Sequence, residues 1–409
     1  MKKKIYYIIN GRIPTEKANG YQVSQMCQAF VQNGYDVELL RPKRQLLHIH
    51  AEFKNNLKEF YNLKDNFWVQ DIFSIDFLHY FNKVPGLRNL QTAANLLHSF
   101  SFVFNLAIYL FRKTSSGDLL YLRDVNILAW LHPFLRKKIK NTIILELHSF
   151  PEKAERRKRY IRILNNARAV ICVTNKMKED LLSLGFPSQK ALVQHDGVDL
   201  EGFEVKLSQE ECRKELKYPE NRFIIGYVGN FQTNGKEKGI DDLIRCSGEI
   251  IKSFPDTLFY FVGGPLVAVP YYESIIKEYN LPWDNYKFFD RLPVKYVPMV
   301  MKACDILTIP FPWNPHFAFY ASPMKLFEYM TSGRAIVATD IESIREVLTD
   351  GENALLAKHS NLSDLSQTIL RAMVDKALRE KVAWKAMEEV KNYTWKSRAK
   401  RILDFVKGL

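Results

Sequence analysis

Residues 223–239 read FIIGYVGNFQTNGKEKG. A β-branched and aromatic run, Phe223–Val228, stops at Gly229, and a polar loop punctuated by glycine then leads into an amphipathic stretch, IDDLI. Strand, permissive turn and helix in that order form the unit from which parallel sheets covered by helices are built. Lys238 stands beside Gly239 at the mouth of the turn, where an ammonium can meet a diphosphate as a point charge. The order G-x-x-x-x-G-K-[ST] is absent, which argues against nucleoside-triphosphatase chemistry.

The same alternation runs outward in both directions. Candidate strands before it are Ile5–Ile9, Asp36–Leu40, Leu119–Leu122, Thr142–Leu145, Ala169–Val173 and Ala191–Gln194. After Phe223–Val228 come Leu258–Val262, Lys287–Phe289, Ile306–Ile309, Ala335–Ala338 and Ala354–Leu356. Two doubly wound α/β domains are expected. A polar stretch from Gly202 to Asn221 separates them, and 409 residues with 47% apolar content exceed what one core usually organises. The aromatic-rich region Phe60 to Phe111 reads as an elaboration of the first domain. Its apolar part, Leu96 to Phe111, is interrupted by polar residues and is shorter than the roughly 20 residues that span a bilayer, so no membrane-crossing helix is expected. The basic start MKKKIYYIIN reads as a first strand and not as an export signal.

Five scattered cysteines, an odd number with no C-x-x-C pair, point neither to a disulfide framework nor to a zinc site, and fit a reducing cytosol. The net charge of +14 is unevenly distributed. Residues 1–200 hold 30 Lys and Arg against 17 Asp and Glu, whereas the remaining residues hold 29 against 28. Clusters at Arg41, Lys43 and Arg44, at Arg136, Lys137, Lys138 and Lys140, and at Arg156, Arg157, Lys158, Arg159 and Arg162 carry the excess. Any one cluster reads as a solvated surface, but the asymmetry favours an anionic partner on the first half, a membrane surface or an acidic acceptor.

Other stretches could carry chemistry. In residues 10–30, NGRIPTEKANGYQVSQMCQAF, Gly20 stands near a helix start. There a glycine lets backbone approach a ligand and free N–H groups favour phosphate, although a plain strand-to-helix turn reads equally well. In FYASPMKLFEYMTSG, residues 319–333, Ser322 is a favoured N-cap and Pro323 a favoured first helical residue. The N–H groups of Met324, Lys325 and Leu326 would then face an anion, and Glu328 is suited to holding vicinal hydroxyls such as those of a ribose. His148, in ILELHSFPEKA, should emerge at the carboxyl end of a strand, where open α/β sheets place ligands. His195 and Asp196 make a weaker case of the same kind. No metal-ligand cluster or D-x-D motif occurs.

Taken in order, these segments resemble glycosyltransferase family 4, retaining enzymes of the GT-B fold, over nearly the whole chain. The resemblance rests on the loop before the first helix, LELHSF, VICVTNKMKEDLLSLGF, HDGVDLEGF, YVGNF…KGIDDLI, FVGG, LPVKYVPMVMKACDILTIPF and SPMKLFEYMTSGRAIVATD. It implies two Rossmann-like domains facing across a cleft. Residues 1–202 would bind the acceptor and residues 203–393 the sugar nucleotide, with the last helix, 394–409, crossing back onto the first. The catalytic residues implied are His148, at the transferred sugar, with Lys238 at the diphosphate and Glu328 at the ribose. The donor set adds Gly20, Gly229, Asn230, Tyr320, Ser322, Met324, Lys325 and Leu326, and the backbone of Arg291 and Leu292 at the base. Three positions depart from the family pattern: Tyr320 replaces the first of two glutamates, Asn230 a basic residue, and Asp290 a glycine.

The activity implied is transfer of a sugar, with retention, from a UDP- or GDP-sugar to a glycan or lipid-linked acceptor, in bacterial cell-surface polysaccharide synthesis. It would need no metal or other cofactor and no nucleic acid. The enzyme would be cytoplasmic and peripheral on the inner face of the membrane. Two other readings stay open. One is an inactive sugar-nucleotide-binding partner of an active transferase; the other is an epimerase or phosphorylase on the same fold.

Overall fold

The computed structural model describes residues 3–44, 56–76, 88–151, 153–233 and 236–409. The chain divides into two compact units, Met1–His195 with Trp395–Leu409, and Asp196–Thr394.

The first unit is built on a seven-stranded parallel sheet. Its strands are β1 (Lys4–Ile8), β2 (Asp36–Pro42), β3 (Trp68–Ile72), β4 (Leu119–Leu122), β5 (Ile143–Leu147), β6 (Ala169–Cys172) and β7 (Ala191–Val193). They lie in the order β3-β2-β1-β4-β5-β6-β7. Strands covered on both faces read as continuous apolar runs, which explains IILEL in β5, buried at all five positions. The strand order reverses between β1 and β4, so the carboxyl ends of these strands flank the crevice where such sheets bind ligands. β3, at the sheet edge, was not among the expected strands, because WVQDI alternates poorly.

The region Phe60 to Phe111 resolves into β3 and a 26-residue helix, Arg88–Lys113; residues 77–87 lie outside the described residues. The expectation that its apolar stretch is too short is corrected. The helix starts well before Leu96, and Leu90–Lys113 is long and apolar enough to cross a membrane by length and composition. One face is nevertheless packed into the unit through Phe102, Leu106 and Leu110.

The second unit carries a six-stranded parallel sheet. Its strands are β8 (Ile224–Val228), β11 (Leu258–Val262), β12 (Tyr286–Phe289), β13 (Ile306–Ile309), β14 (Ala335–Asp340) and β15 (Leu355–Lys358), in the order β12-β11-β8-β13-β14-β15. After β8 the loop folds into a short antiparallel hairpin, β9 (Gln232–Thr233) with β10 (Lys236–Glu237). Here the order reverses between β8 and β13, and the loop crosses that point. A Cβ on Gly239, whose φ is +86°, would fall 1.5 Å from the Pro310 carbonyl oxygen just beyond β13, so only glycine fits.

The division falls at His195 instead of Gly202. The chain after His195 is tied to the second unit by the Val198 N–H to the Tyr393 carbonyl (2.9 Å) and the Asp196 N–H to Ser322 Oγ (2.8 Å). The polar stretch expected to separate the two domains contains a helix, Gln209–Leu216, started by a Ser208–Glu211 capping box. The final helix, Trp395–Gly408, belongs to the first unit.

Candidate functional site

In the second unit the residues after β8 and those of the Met324–Met330 helix come together. Lys325 Nζ lies 3.0 Å from where a Cβ on Gly229 would stand and 3.6 Å from the centroid of the Tyr227 ring. It is buried and has no hydrogen-bond partner among the described residues. Burial and repulsion by Lys238 hold this ammonium well below the usual lysine range, against the pull of Glu328 and Glu237. Burial also brings Lys238 down to about 8, although the Glu237 carboxylate opposes it. Glu328 is pushed up to about 7 by burial, with Lys325 opposing. Two buried lysines with depressed pKa values, at the switch point of an α/β sheet, make an arrangement that can receive an anion.

Glu237 was not singled out from the sequence. Its carboxylate accepts from the N–H groups of Gly239 and Ile240 (3.1 Å to the latter) and from the Tyr272 hydroxyl (2.9 Å), so it caps the helix Ile240–Ser253. Burial and the neighbouring Asp241 push it up to about 8. That helix end is therefore already occupied by a side chain. A glutamate one residue before K-G at a helix start was the available signal.

The start of the SPMK helix differs from expectation by one residue. Pro323 is the N-cap and makes no side-chain cap, and the first helical residue is Met324. Ser322 does not cap, because its hydroxyl accepts the Asp196 N–H instead. The Leu326 N–H is spent on the Pro323 carbonyl (3.0 Å), while Met324 and Lys325 have no intrahelical acceptor, as at any helix start. Tyr320 ends the preceding wide turn, His316–Tyr320, partly buried.

Asn230 and Arg291 are brought together, Arg291 Nη2 donating to Asn230 Oδ1 at 2.9 Å. Asp290 accepts the Arg291 N–H at 2.8 Å, so the backbone group expected to read a base is already engaged. Leu292 follows, partly buried.

In the first unit, His148 leaves the end of β5 as expected, with Nε2 2.5 Å from Glu146 Oε1. Glu146 is fully buried and also accepts from Gln22 Nε2 (2.7 Å), the Tyr121 hydroxyl and Arg398 Nη1 (2.8 Å). Burial alone would raise its pKa, but Arg398, His148 and Arg123 hold the carboxyl well below the usual range. Two signals for this network were present in the sequence. Glu146 is a lone carboxylate in an apolar strand, two residues before His148 and so on the same face. Arg398 falls in the apolar stripe Trp395, Ala399, Ile402, Leu403 and Val406.

Gly20 lies inside the helix Ala18–Gln32, and a Cβ there would fall 2.2 Å from the Tyr61 hydroxyl and 2.5 Å from Thr15 Cγ2. Close packing against Tyr61, whose hydroxyl bonds both the N–H and the carbonyl of Thr15, accounts for this glycine. His195 is engaged with the Val173 carbonyl (3.0 Å).

Comparison with known proteins agrees with this architecture. Residues 20–201 match the model for Glycosyltransferase Family 4, and residues 222–375 that for Glycosyl transferases group 1. A D-inositol 3-phosphate glycosyltransferase of Corynebacterium urealyticum is 25% identical over 307 residues, covering 72% of this chain and 69% of that protein. Among solved structures, sucrose-phosphate synthase of Thermosynechococcus elongatus superposes with a TM-score of 0.74 at 17% identity, covering 100% of this chain and 99% of that one. HepE of Anabaena, in complex with UDP-glucose, superposes with a TM-score of 0.69 at 17% identity, covering 99% of this chain and 100% of that one. The two family models together take in most of both units, the sheets are those of the GT-B fold, and the chain belongs to glycosyltransferase family 4.

Proposed function

We propose that this glycosyltransferase moves a hexosyl group, with retention, from a UDP- or GDP-sugar to a hydroxyl of a glycan or lipid-linked acceptor in cell-surface polysaccharide synthesis. The observation that carries the donor half is the buried, unpartnered Lys325 ammonium beside Lys238 and Gly229. As the anomeric C–O bond breaks, its electron pair collects on the diphosphate. Two cations preorganised in a low-dielectric site stabilise that charge without reorganising. Lys325 thus supplies from the helix the positive charge that Asn230 does not supply from the loop. In this reading the lysines take the part of a divalent cation, and no metal is required. Glu328 holds the ribose, and His148, oriented by Glu146, serves the transferred sugar.

Product analysis with UDP- and GDP-sugars and candidate acceptors, with and without EDTA, tests this. The expected products are free nucleoside diphosphate and a glycosylated acceptor at an unchanged rate in EDTA. An isomerised sugar nucleotide, or tight donor binding without turnover on any acceptor, would favour the epimerase or inactive-partner reading.

A further inference from the structure

The helix Arg88–Lys113 is apolar on two faces. One face is the packed one, made by Phe102, Leu106 and Leu110, each with no exposed surface, and held from the polar side by Ser99 Oγ to Asn10 Nδ2 (3.2 Å) and His98 Nε2 to Arg44 Nη2 (2.6 Å). The other face presents Leu97, Phe100, Phe104, Ile108 and Phe111, all exposed, with Phe100 61% and Phe104 50% accessible. Their spacing of three and four residues puts them on one stripe of the helix. A soluble surface helix normally carries polar residues there. On the edge strand β3, which packs against this helix, Trp68 is also exposed, at 76%, as is Phe73 just after the strand, at 61%.

Charge borders the stripe at its carboxyl end. Arg112 and Lys113 close the helix, and the Arg136 guanidinium sits 3.8 Å over the Phe111 ring, next to the exposed Phe134. No Asp or Glu occurs anywhere from Arg88 to Lys113. An apolar, aromatic stripe rimmed by Lys and Arg has the composition of helices that lie in the plane of a membrane, rings among the acyl chains and cations at the headgroups. A second copy of this chain would bring the same positive rim with nothing to neutralise it, whereas anionic headgroups satisfy both parts of the surface.

We propose that the exposed stripe Leu97–Phe100–Phe104–Ile108–Phe111, with Arg112, Lys113 and Arg136, docks this unit in the plane of an anionic lipid bilayer. The helix does not cross it, because its other face is committed to the core of the unit. This docking is independent of the transferase reading, since vesicle binding needs neither donor nor acceptor.

The test is co-sedimentation of the full chain with vesicles of phosphatidylcholine alone and of phosphatidylcholine with one third phosphatidylglycerol. At low salt the parent should bind the anionic vesicles at least about tenfold better, and lose most of this preference in molar salt. Phe100→Gln with Phe104→Gln should lower binding about tenfold or more. Arg112→Gln with Lys113→Gln should abolish the preference for anionic vesicles. All these positions are exposed, and circular dichroism with thermal melting confirms that the variants fold. Equal binding to both vesicle types, unchanged binding by the aromatic variant, or a dimer in sedimentation velocity that the aromatic variant dissolves while the parent ignores vesicles, each overturns the proposal. Loss of donor turnover with vesicle binding intact would bear only on the proposed function.

Discussion

Arg398 Nη1 lies 2.8 Å from Glu146 Oε2, so the last helix of the chain is joined by a buried ion pair to the strand end that presents His148. Neither side chain has appreciable solvent contact, and Arg398 also donates to the His195 carbonyl (2.7 Å). Removing one partner of such a pair leaves an uncompensated buried charge, which costs about 3–5 kcal/mol. Glu146→Gln and Arg398→Met should each destabilise the protein on that scale in denaturant titrations, and the double variant should lose much less than their sum. The carboxyl is held below its unfolded value, so its contribution is present above the unfolded pKa and is lost as pH falls through the folded one. The parent should lose stability by this route as pH falls below the ordinary carboxylate range, and Glu146→Gln should show a flatter acid limb.

His148→Ala should cut turnover about 100-fold while leaving nucleoside diphosphate binding within a few-fold of the parent, because misplacing a positioned group affects the reacting centre. The lysines proposed to hold the diphosphate, Lys238 and Lys325, lie in the other unit. Single-turnover kinetics with calorimetry separates the two effects, and a variant that kept its rate at saturation but lost donor affinity would reverse the assignment of units.

Lys325→Met should act in opposite directions on stability and binding. The buried Lys325 Nζ has no hydrogen-bond partner among the described residues, so replacing it by an apolar chain of similar length should raise the thermal midpoint by a few degrees. The same change removes a charge-assisted contact of about 1.5–3 kcal/mol to the diphosphate, which is roughly 10- to 150-fold in affinity for UDP. Uridine, lacking phosphates, should bind as before. A variant with lowered stability and unchanged UDP affinity would mean that the lysine serves packing through its contact with Tyr227.

Donor affinity should follow a bell in pH. Glu328 ionises at about 7, and only the carboxylate accepts both ribose hydroxyls, so affinity should rise as pH passes upward through that value. Burial brings Lys238 down to about 8, so affinity should fall above that value, the limb moving higher in the complex as the phosphates favour the ammonium. Burial and Lys238 hold Lys325 well below the usual lysine range, and a bound diphosphate would oppose that shift, so donor binding should take up protons, visible as a dependence of calorimetric heat on buffer ionisation enthalpy. Glu328→Gln should remove the acid limb alone, and Tyr320→Phe should change sugar preference while leaving UDP affinity intact.

The loop after β8 was legible because each of its parts is written in local sequence. The β8 run, Gly239 at a positive-φ turn and the K-G pair are consecutive, and the requirement for glycine there is steric and backbone-local. The helix start at Met324 was read one residue early because Ser322 has a more distant competitor, the Asp196 N–H, that no capping preference reveals. The extent of the Arg88–Lys113 helix was missed because polar residues such as His98 and Ser99 were counted as interruptions. In the fold they sit on the packed side and find partners.

By itself, the sequence determined the alternation of strands and helices, the two sheets, the place of the loop after β8, and the exit of His148 from a strand end. All of these follow from periodicity and turn chemistry within about a dozen residues. Only the tertiary structure decided what surrounds those groups. Glu146 meets Arg398 across 252 positions, Lys325 turns inward beneath the loop at Gly229, and Glu237 takes the start of the helix Ile240–Ser253. Burial and charge neighbours set these ionisation states, and both depend on which distant segments the packed chain brings within a few ångströms of one another.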